Sequence, residues 1–193
     1  MLIDKPGLKK IPQPRATDIL CRYQQSSSFK QQVDKNSSPV ELLNQLYDNS
    51  QWQDLIIFLC HALPSIECVW WGYQSVLSLD LPTPDIQKNA ENAVAQWLKK
   101  PEETHRRMAE VAVAQAELDN PWGWLAQAVF WSGGSITPIN GPDCPAPAFL
   151  YSHAVAGALG LAAILPDGQE QESRYQMFIA SGIKIADALP LEV

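Results

Sequence analysis

The sequence has little positive charge and lacks the features of an exported or membrane-spanning protein. Its 14 lysine and arginine residues stand against 21 acids, and the net charge of −7 argues against a general binder of nucleic-acid phosphates. No basic stretch followed by an apolar run begins the chain, so no secretory signal is expected. The longest apolar stretch, residues 154–165, is shorter than the roughly 20 residues that cross a bilayer. We therefore expect a cytoplasmic protein with no nucleic-acid partner and no membrane insertion.

The cysteines lack the paired spacing of a metal or redox site. Cys60, His61 and Cys68 come nearest to a metal cluster, but a structural zinc site needs four ligands at characteristic spacing. Adjacent residues such as Cys60 and His61 also point to different faces of a helix. We expect reduced core thiols, a histidine at a helix end, no metal and no cofactor.

Sustained alternation of apolar and polar residues is also absent, which predicts an all-α protein. Apolar residues recur at helical spacing in about eight to nine segments, which predicts as many helices. We expect these helices to pack as antiparallel hairpins in a single domain, and such hairpins can stack in a solenoid-like manner. The predicted helices lie at about 16–24, 39–48, 50–63, 65–80, 86–97, 101–118, 121–132, 148–165 and 169–187. Ser38 and Asn120 are suited to cap helices that begin with proline, and the turn at residues 63–65 predicts a tight hairpin.

Charge is unevenly distributed along the chain. The first 35 residues contain seven basic and three acidic residues, a local charge of +4 against −11 for the remainder. Residues 1–14 contain three prolines and little periodicity, which predicts an extended basic arm ahead of a helical domain at 15–193. Such an arm can fold back on the acidic domain or bind a partner.

A proline- and glycine-rich loop and several tryptophans form the candidate partner-binding surface. Residues 133–147 contain four prolines and three glycines, and loops of this length are often functional. Trp70, Trp97 and Trp122 lie on apolar stripes, whereas Trp71 is displaced by one residue and Trp131 adjoins the Gly-Gly turn. Exposed tryptophan is enriched at interfaces. The candidate partner-binding residues are Trp70, Trp71, Trp131, Ser132, Gly133, Gly134, Ser135 and Pro138.

Catalysis and anion binding near this loop each have a simpler structural alternative. Ser132 or Ser135 with His153 or His105 would supply a nucleophile and a base, but the nucleophile elbow of hydrolases requires a strand before the serine. A left-handed helix end at Gly133 or Gly134 explains the glycines better. Arg106 and Arg107 either bind an anion or, with glutamates at helical spacing, form a solvated salt-bridged face, which we favour. The apolar face of that helix is small, comprising Met108, Val111, Ala112 and Ala116, and it either packs closely against a neighbour or covers a groove.

Four segments together resemble a bacterial family of unknown function. They are FLCHALP at 58–64, VWW at 69–71, AVFWSGGS at 128–135 and AVAGA at 154–158. The resemblance spans about residues 15–187, and genes of that family often lie beside type VI secretion genes. It implies an accessory, adaptor or chaperone-like role in a secretion cluster and supplies no catalytic residue.

The leading hypothesis from these patterns is a non-enzymatic helical protein that binds a component or effector of a type VI secretion system. One alternative is an immunity protein whose acidic surface blocks a basic toxin. The other is a serine-dependent hydrolase in which His153, a serine and an acid converge beside the 133–147 loop.

Overall fold

Nine helices make up the regular structure of residues 2–25, 29, 33–34 and 36–188, which are the residues that the computed structural model of the chain describes. Their bounds are α1 Thr17–Leu20, α2 Pro39–Asp48, α3 Trp52–Ala62, α4 Ser65–Leu77, α5 Asp85–Lys99, α6 Glu103–Ala116, α7 Pro121–Phe130, α8 Leu150–Ile164 and α9 Gln171–Asp187. No strand occurs in this part of the chain, so the all-α prediction is confirmed. In the same part, no helix combines the length and apolar character needed to cross a bilayer.

Local capping fixes the start of two helices as predicted. The Ser38 side chain accepts a hydrogen bond from the Glu41 amide, and the Glu41 carboxylate accepts one from the Ser38 amide, which completes a capping box. The Asn120 side-chain oxygen accepts from the Gly123 amide at 2.9 Å, ahead of the proline that opens α7. Helix α1 is only one turn long, shorter than its apolar pattern predicts.

Helix α8 lies at the centre of the single domain. It is apolar on every side, and it packs against α3, α4, α7 and α9. The helix pairs α5–α6, α6–α7 and α7–α8 pack as sequence neighbours. Since α8 also contacts α3 and α4, the core joins segments that are far apart in the sequence. Helix packing therefore extends well beyond successive hairpins.

The corner between α3 and α4 differs from the hairpin predicted there. Both helices pack along α8 and α9 and make little contact with each other beyond their shared corner, because Pro64 redirects the chain between them. Side chains of α8 and of the segment after α1 satisfy the carbonyl groups at the end of α3, which have no partner within the helix. Ser152 Oγ donates to Cys60 O at 2.9 Å, Tyr151 Oη to Leu63 O at 3.0 Å and Arg22 Nη1 to His61 O at 2.6 Å.

The two adjacent tryptophans of α4 have the reverse of the expected environments. Trp71 is fully buried, and its Nε1–H donates to Phe178 O of α9 at 2.8 Å, whereas Trp70 is half-exposed. A Cβ atom on Gly182 would lie 2.6 Å from the Trp71 ring, so this glycine lets α9 approach α4 closely. Trp71 therefore belongs to the core, and its assignment to a partner-binding surface is wrong.

The described part of the basic arm, residues 2–14, is docked on the helical domain. Ile3, Leu8 and Ile11 are buried. The amides of Leu2 and Ile3 donate to the side chain of Asn44 in α2, and Lys10 N donates to Ala186 O of α9 at 2.9 Å. Two ion pairs supplement these contacts: Lys10 with Glu67 of α4 at 2.9 Å, and Lys5 with Asp187. Apolar burial and charge pairing thus act together.

We expect the apolar contacts to dominate the stability that the arm contributes. Leu8→Ala should lower the free energy of unfolding by about 2–4 kcal/mol, because it removes a buried side chain and leaves a cavity. Lys9→Ala changes an exposed neighbour and should stay within about 0.5 kcal/mol of wild type. Urea unfolding monitored by tryptophan fluorescence, at low and at high salt, measures both. Equal stability of Leu8→Ala and Lys9→Ala would contradict the docked arm.

His61 is a buried histidine at the end of α3. Its Nδ1 lies 2.7 Å from Ile57 O, and its ring contacts those of Tyr23 and His153 at centroid distances of 4.4 and 4.6 Å. Burial lowers the pKa of His61 to about 4, despite the opposing effect of the hydrogen bond to Ile57. The imidazole is therefore neutral at pH 7, with the Nδ1–H donating to Ile57 and a lone pair on Nε2.

The lowered pKa predicts a stability that falls with acidification. His61 becomes protonated below about pH 6.5 in the unfolded chain, but only near pH 4 in the folded chain. Stability should therefore decrease through this window, by on the order of 3 kcal/mol from this group alone. Comparing urea unfolding of wild type and His61→Gln from pH 7 to pH 4 isolates the effect, because other titrating groups are shared. Identical pH slopes for the two proteins would contradict this assignment.

Candidate protein-binding site

Residues 134–146 form a short hairpin-like excursion between α7 and α8, here called the 134–146 hairpin. Ile136 N donates to Cys144 O at 2.9 Å and Ala146 N to Gly134 O at 3.0 Å, joining the two segments in antiparallel pairing. At the tip, Gly141 N donates to Pro138 O at 2.8 Å and closes a turn. The loop predicted from proline and glycine content is thus internally hydrogen-bonded.

Two hydroxyl groups inside the hairpin reinforce this pairing. Thr137 Oγ1 donates to Pro142 O at 2.6 Å, so the hydroxyl proton of Ser135 is directed to Thr137 Oγ1 at 2.8 Å. Ser135 Oγ in turn accepts from Cys144 N at 3.0 Å. Ser135 therefore holds the hairpin together.

Arg106 and Arg107 of α6, here called the arginine pair, anchor the hairpin to the helical domain. Arg106 Nη1 donates to Phe130 O at 2.6 Å and Nη2 to Ser135 O at 3.0 Å, while Arg107 Nη1 donates to Thr137 O at 2.8 Å. Both guanidinium groups also lie over the Phe130 ring, at 5.2 and 5.6 Å from its centroid. Three carbonyl groups before and within the hairpin are thereby fixed to one helix.

Glu103 supplies the counter-charge for the arginine pair. Its carboxylate binds Arg106 through two hydrogen bonds of 2.7 Å and Arg107 through one of 3.0 Å. The hydrogen bond from Arg106 contributes most to lowering the pKa of Glu103 below its ordinary value. The bidentate geometry gives Arg106 a fixed orientation, which a lysine would not provide.

The solvated salt-bridged face predicted for this helix is therefore wrong for Arg106, which is only 3% exposed. Of the residues predicted for the apolar face of this helix, Ala112 and Ala116 are buried, whereas Met108 and Val111 are exposed. Helix α6 buries Arg106 together with alanines, and this small face brings α6 close to α5 and α7. The guanidinium is desolvated because carbonyl and carboxylate oxygens replace water around it.

Gly134 is the position of the left-handed backbone predicted for the Gly-Gly turn. Its φ angle is +61°, and an added Cβ atom would lie 2.8 Å from Arg106 Nη2. Gly133 has open space at the corresponding position. The second glycine thus lets the chain turn and also lets the arginine approach its backbone.

The exposed part of the hairpin is its tip. Ile139 is 77% exposed, and its neighbours Pro138 and Asn140 are exposed as well. Trp131 and Ser132, at the base, are half-buried, and Ser132 Oγ donates to Val129 O at 2.8 Å. Of the predicted residues, Pro138 is the one best placed to meet a partner.

Trp70 lies at the other end of α7 from the hairpin. Its ring stacks on Tyr73 at 6.2 Å, and Tyr73 contacts Trp122 in the first turn of α7 at 5.6 Å. The hairpin follows the last turn of this helix, whose 10 residues span about 15 Å. The structure therefore separates Trp70 from the rest of the predicted surface.

The residues of the hydrolase alternative have other partners. His153 packs edge-on against His61, and His105 Nδ1 lies 2.8 Å from Lys100 O. In the described part of the chain, Ser132 and Ser135 form no hydrogen bond to a histidine.

The residues considered for a metal site are buried in the core. Cys60 and Cys68 are buried, and Cys68 Sγ donates to Cys60 O at 3.5 Å. Among the described residues, no group of three or more histidine, cysteine, aspartate or glutamate side chains is arranged to hold a metal ion. Cys68 therefore serves the packing of the α3–α4 corner.

The helical domain that carries these features belongs to DUF6931, a family of unknown function. The match covers residues 42–186, from α2 to the end of α9. It includes the arginine pair and the 134–146 hairpin, and it leaves out the basic arm. The predicted resemblance to an uncharacterised family is confirmed at that level. No curated protein and no solved structure matches the chain.

Sequence reasoning missed the two residues that define the site best. Ile139 lies inside the predicted loop, but nothing in its local sequence distinguishes it from the neighbouring loop residues. Arg106 has the signal of a glutamate three residues earlier, but that spacing also occurs on solvated faces. What distinguishes Arg106 is its proximity to the carbonyl groups of the hairpin.

The two adjacent glycines provide a matched test of this anchoring. Gly134→Ala should lower the free energy of unfolding by about 1–3 kcal/mol, because alanine is strained at positive φ and would displace Arg106. Gly133→Ala should change it by less than about 0.5 kcal/mol. Amide hydrogen exchange of residues 135–144 should accelerate in Gly134→Ala alone. Similar exchange in both variants would count against the anchored hairpin.

Proposed function

We propose that the chain is a non-enzymatic accessory protein, adaptor or chaperone-like, that binds another protein through the tip of the 134–146 hairpin. The observation that carries the proposal is Ile139, which is 77% exposed at the tip of a loop held by the arginine pair. Ile139 is the most exposed of the large apolar side chains in the described residues, and an apolar side chain at the tip of an anchored loop can enter a pocket on a partner. Anchoring also reduces the conformational entropy that the loop loses on binding.

The chemistry of the tip indicates the kind of surface it would meet. Residues 138–142 carry no charge, and they contain two prolines and an isoleucine. A shallow apolar pocket on the partner would accept Ile139, and free amide and carbonyl groups around the turn would contribute hydrogen bonds at the rim. Aromatic Trp131 at the base would extend the contact area.

The partner we favour is a component or effector of a type VI secretion system, bound in the cytoplasm before secretion. This part of the proposal is supported by the resemblance of the FLCHALP, VWW and AVFWSGGS segments to a family whose genes often lie beside secretion genes. The hairpin itself supports only protein binding.

Two exposed isoleucines allow a controlled experiment. Ile139→Asp should reduce recovery of the partner by at least about tenfold in a pull-down from a host that expresses the gene cluster at native levels, because a charged tip would have to be desolvated. Ile86→Asp, at a residue 52% exposed on α5, introduces the same charge away from the hairpin and should leave recovery unchanged.

The identity of the recovered protein separates the hypotheses. Undiminished recovery with Ile139→Asp would overturn binding through the hairpin. Absence of any secretion component would overturn the secretion role, and recovery of a toxin whose activity this chain relieves would replace it with an immunity function.

A further inference from the structure

A pocket of about 470 Å³ lies beside α3 and α8, and it has no part in the function proposed above. The residues Ala156, Gly157 and Gly160 of α8 line the pocket, and Gly160 leaves space open because it has no side chain. An added Cβ atom on Gly160 would meet nothing within 4 Å. The volume falls within the range of about 300–1,000 Å³ that is typical of small-molecule sites.

The rest of the pocket lining presents acceptor atoms and aromatic rings. Asp54 of α3 contributes its carboxylate, Tyr23, Tyr175 and His153 contribute rings, and glutamines contribute amide groups. Asp54 forms no ion pair within the described residues. It lies close enough to Tyr23 that its negative charge, after burial, is the second cause of the raised pKa of the Tyr23 phenol.

Two polar atoms near this pocket are shielded from solvent and have no hydrogen-bond partner among the described residues. They are Tyr23 Oη and His61 Nε2, on rings 4.4 Å apart. Since Nδ1–H of His61 donates to Ile57 O, its Nε2 is an acceptor. Unsatisfied buried polar atoms are costly, and they occur where a ligand or water completes the site.

The charges around the pocket select the class of ligand. Among the described residues, no lysine or arginine lines it, and the neighbouring Arg22 is bound to His61 O and lies over the Phe149 ring. An anion would therefore find no cationic side chain among the described lining residues and would be repelled by the Asp54 carboxylate, whereas an ammonium or guanidinium group would find a counter-ion and π faces. The net charge of −7 adds long-range attraction for cations.

A second depression continues from this pocket and shares Gln53, Asp54 and Tyr175 with it. It adds the carboxylate of Glu172, at the start of α9. The two carboxylates thus lie along one connected surface. A ligand with cationic groups at both ends could interact with both of them.

We propose that this pocket binds a small organic cation, preferentially one with two cationic groups, with Asp54 as its counter-ion and Tyr23, Tyr175 and His153 surrounding the charged group. The site is independent of protein binding, since none of its lining residues belongs to the 134–146 hairpin.

The direct test is isothermal titration of the full chain with agmatine and with putrescine. Both should bind saturably at sub-millimolar concentration, and succinate should not bind. Asp54→Asn should weaken agmatine binding by at least about tenfold, because it removes the charged acceptor. Asp85→Asn is the matched control: it removes a carboxylate from the first turn of another helix, α5, outside the pocket, and should leave binding unchanged.

A pair of variants at Gly160 tests the location without removing charge. Gly160→Ala improves helix propensity and should preserve binding, whereas Gly160→Leu should fold equally well but fill the pocket and abolish binding. The proposal would be overturned by equal weakening in Asp54→Asn and Asp85→Asn, by undiminished binding to Gly160→Leu, or by the absence of saturable binding. Binding of an end-blocked Gly-Arg-Gly tripeptide without agmatine binding would likewise overturn a free small molecule as the ligand.

Discussion

Close packing around α8 is the constraint on which the rest of the structure depends. Its surface of alanine, glycine and a few larger apolar residues lets four other helices approach it, and its hydroxyl groups at Tyr151 and Ser152 satisfy carbonyl groups where α3 ends. Small residues bring helices together but cannot fill every space between them. The small residues that allow close packing around α8 therefore also leave the pocket beside Asp54.

The arginine pair has a separate role, because it holds an irregular segment on the surface of the helical domain. Burying a guanidinium is unfavourable unless oxygen atoms replace its lost water. Glu103 and the carbonyl groups of Phe130 and Ser135 do so for Arg106, and the hairpin is thereby fixed at its base. Order at the base and exposure at the tip are two results of one set of hydrogen bonds. This is the arrangement that preorganised binding loops require.

Features set by neighbouring residues were predictable from the sequence, and features set by distant contacts were not. Ser38 and Asn120 cap their helices through residues three positions away, so spacing alone identified them. The environments of Trp70 and Trp71 depend on the close approach of Gly182, and the burial of Arg106 depends on a loop about 30 residues away. Apolar periodicity cannot distinguish such cases, because both tryptophans suit a core and an arginine suits a surface. The loop of the candidate site was thus identified, whereas its anchor and its tip residue were not.

The docked arm also constrains the order in which the chain can fold. Its residues are synthesised before the helices that they contact, yet they bind Asn44, Glu67 and Ala186, which belong to three helices that lie far apart in the sequence. Ile3, Leu8 and Ile11 therefore stay exposed to water during synthesis until α9 has been made and packed. The arm is therefore synthesised before these helices but is among the last segments to reach its native position, and its lysines keep this apolar stretch hydrated in the interval.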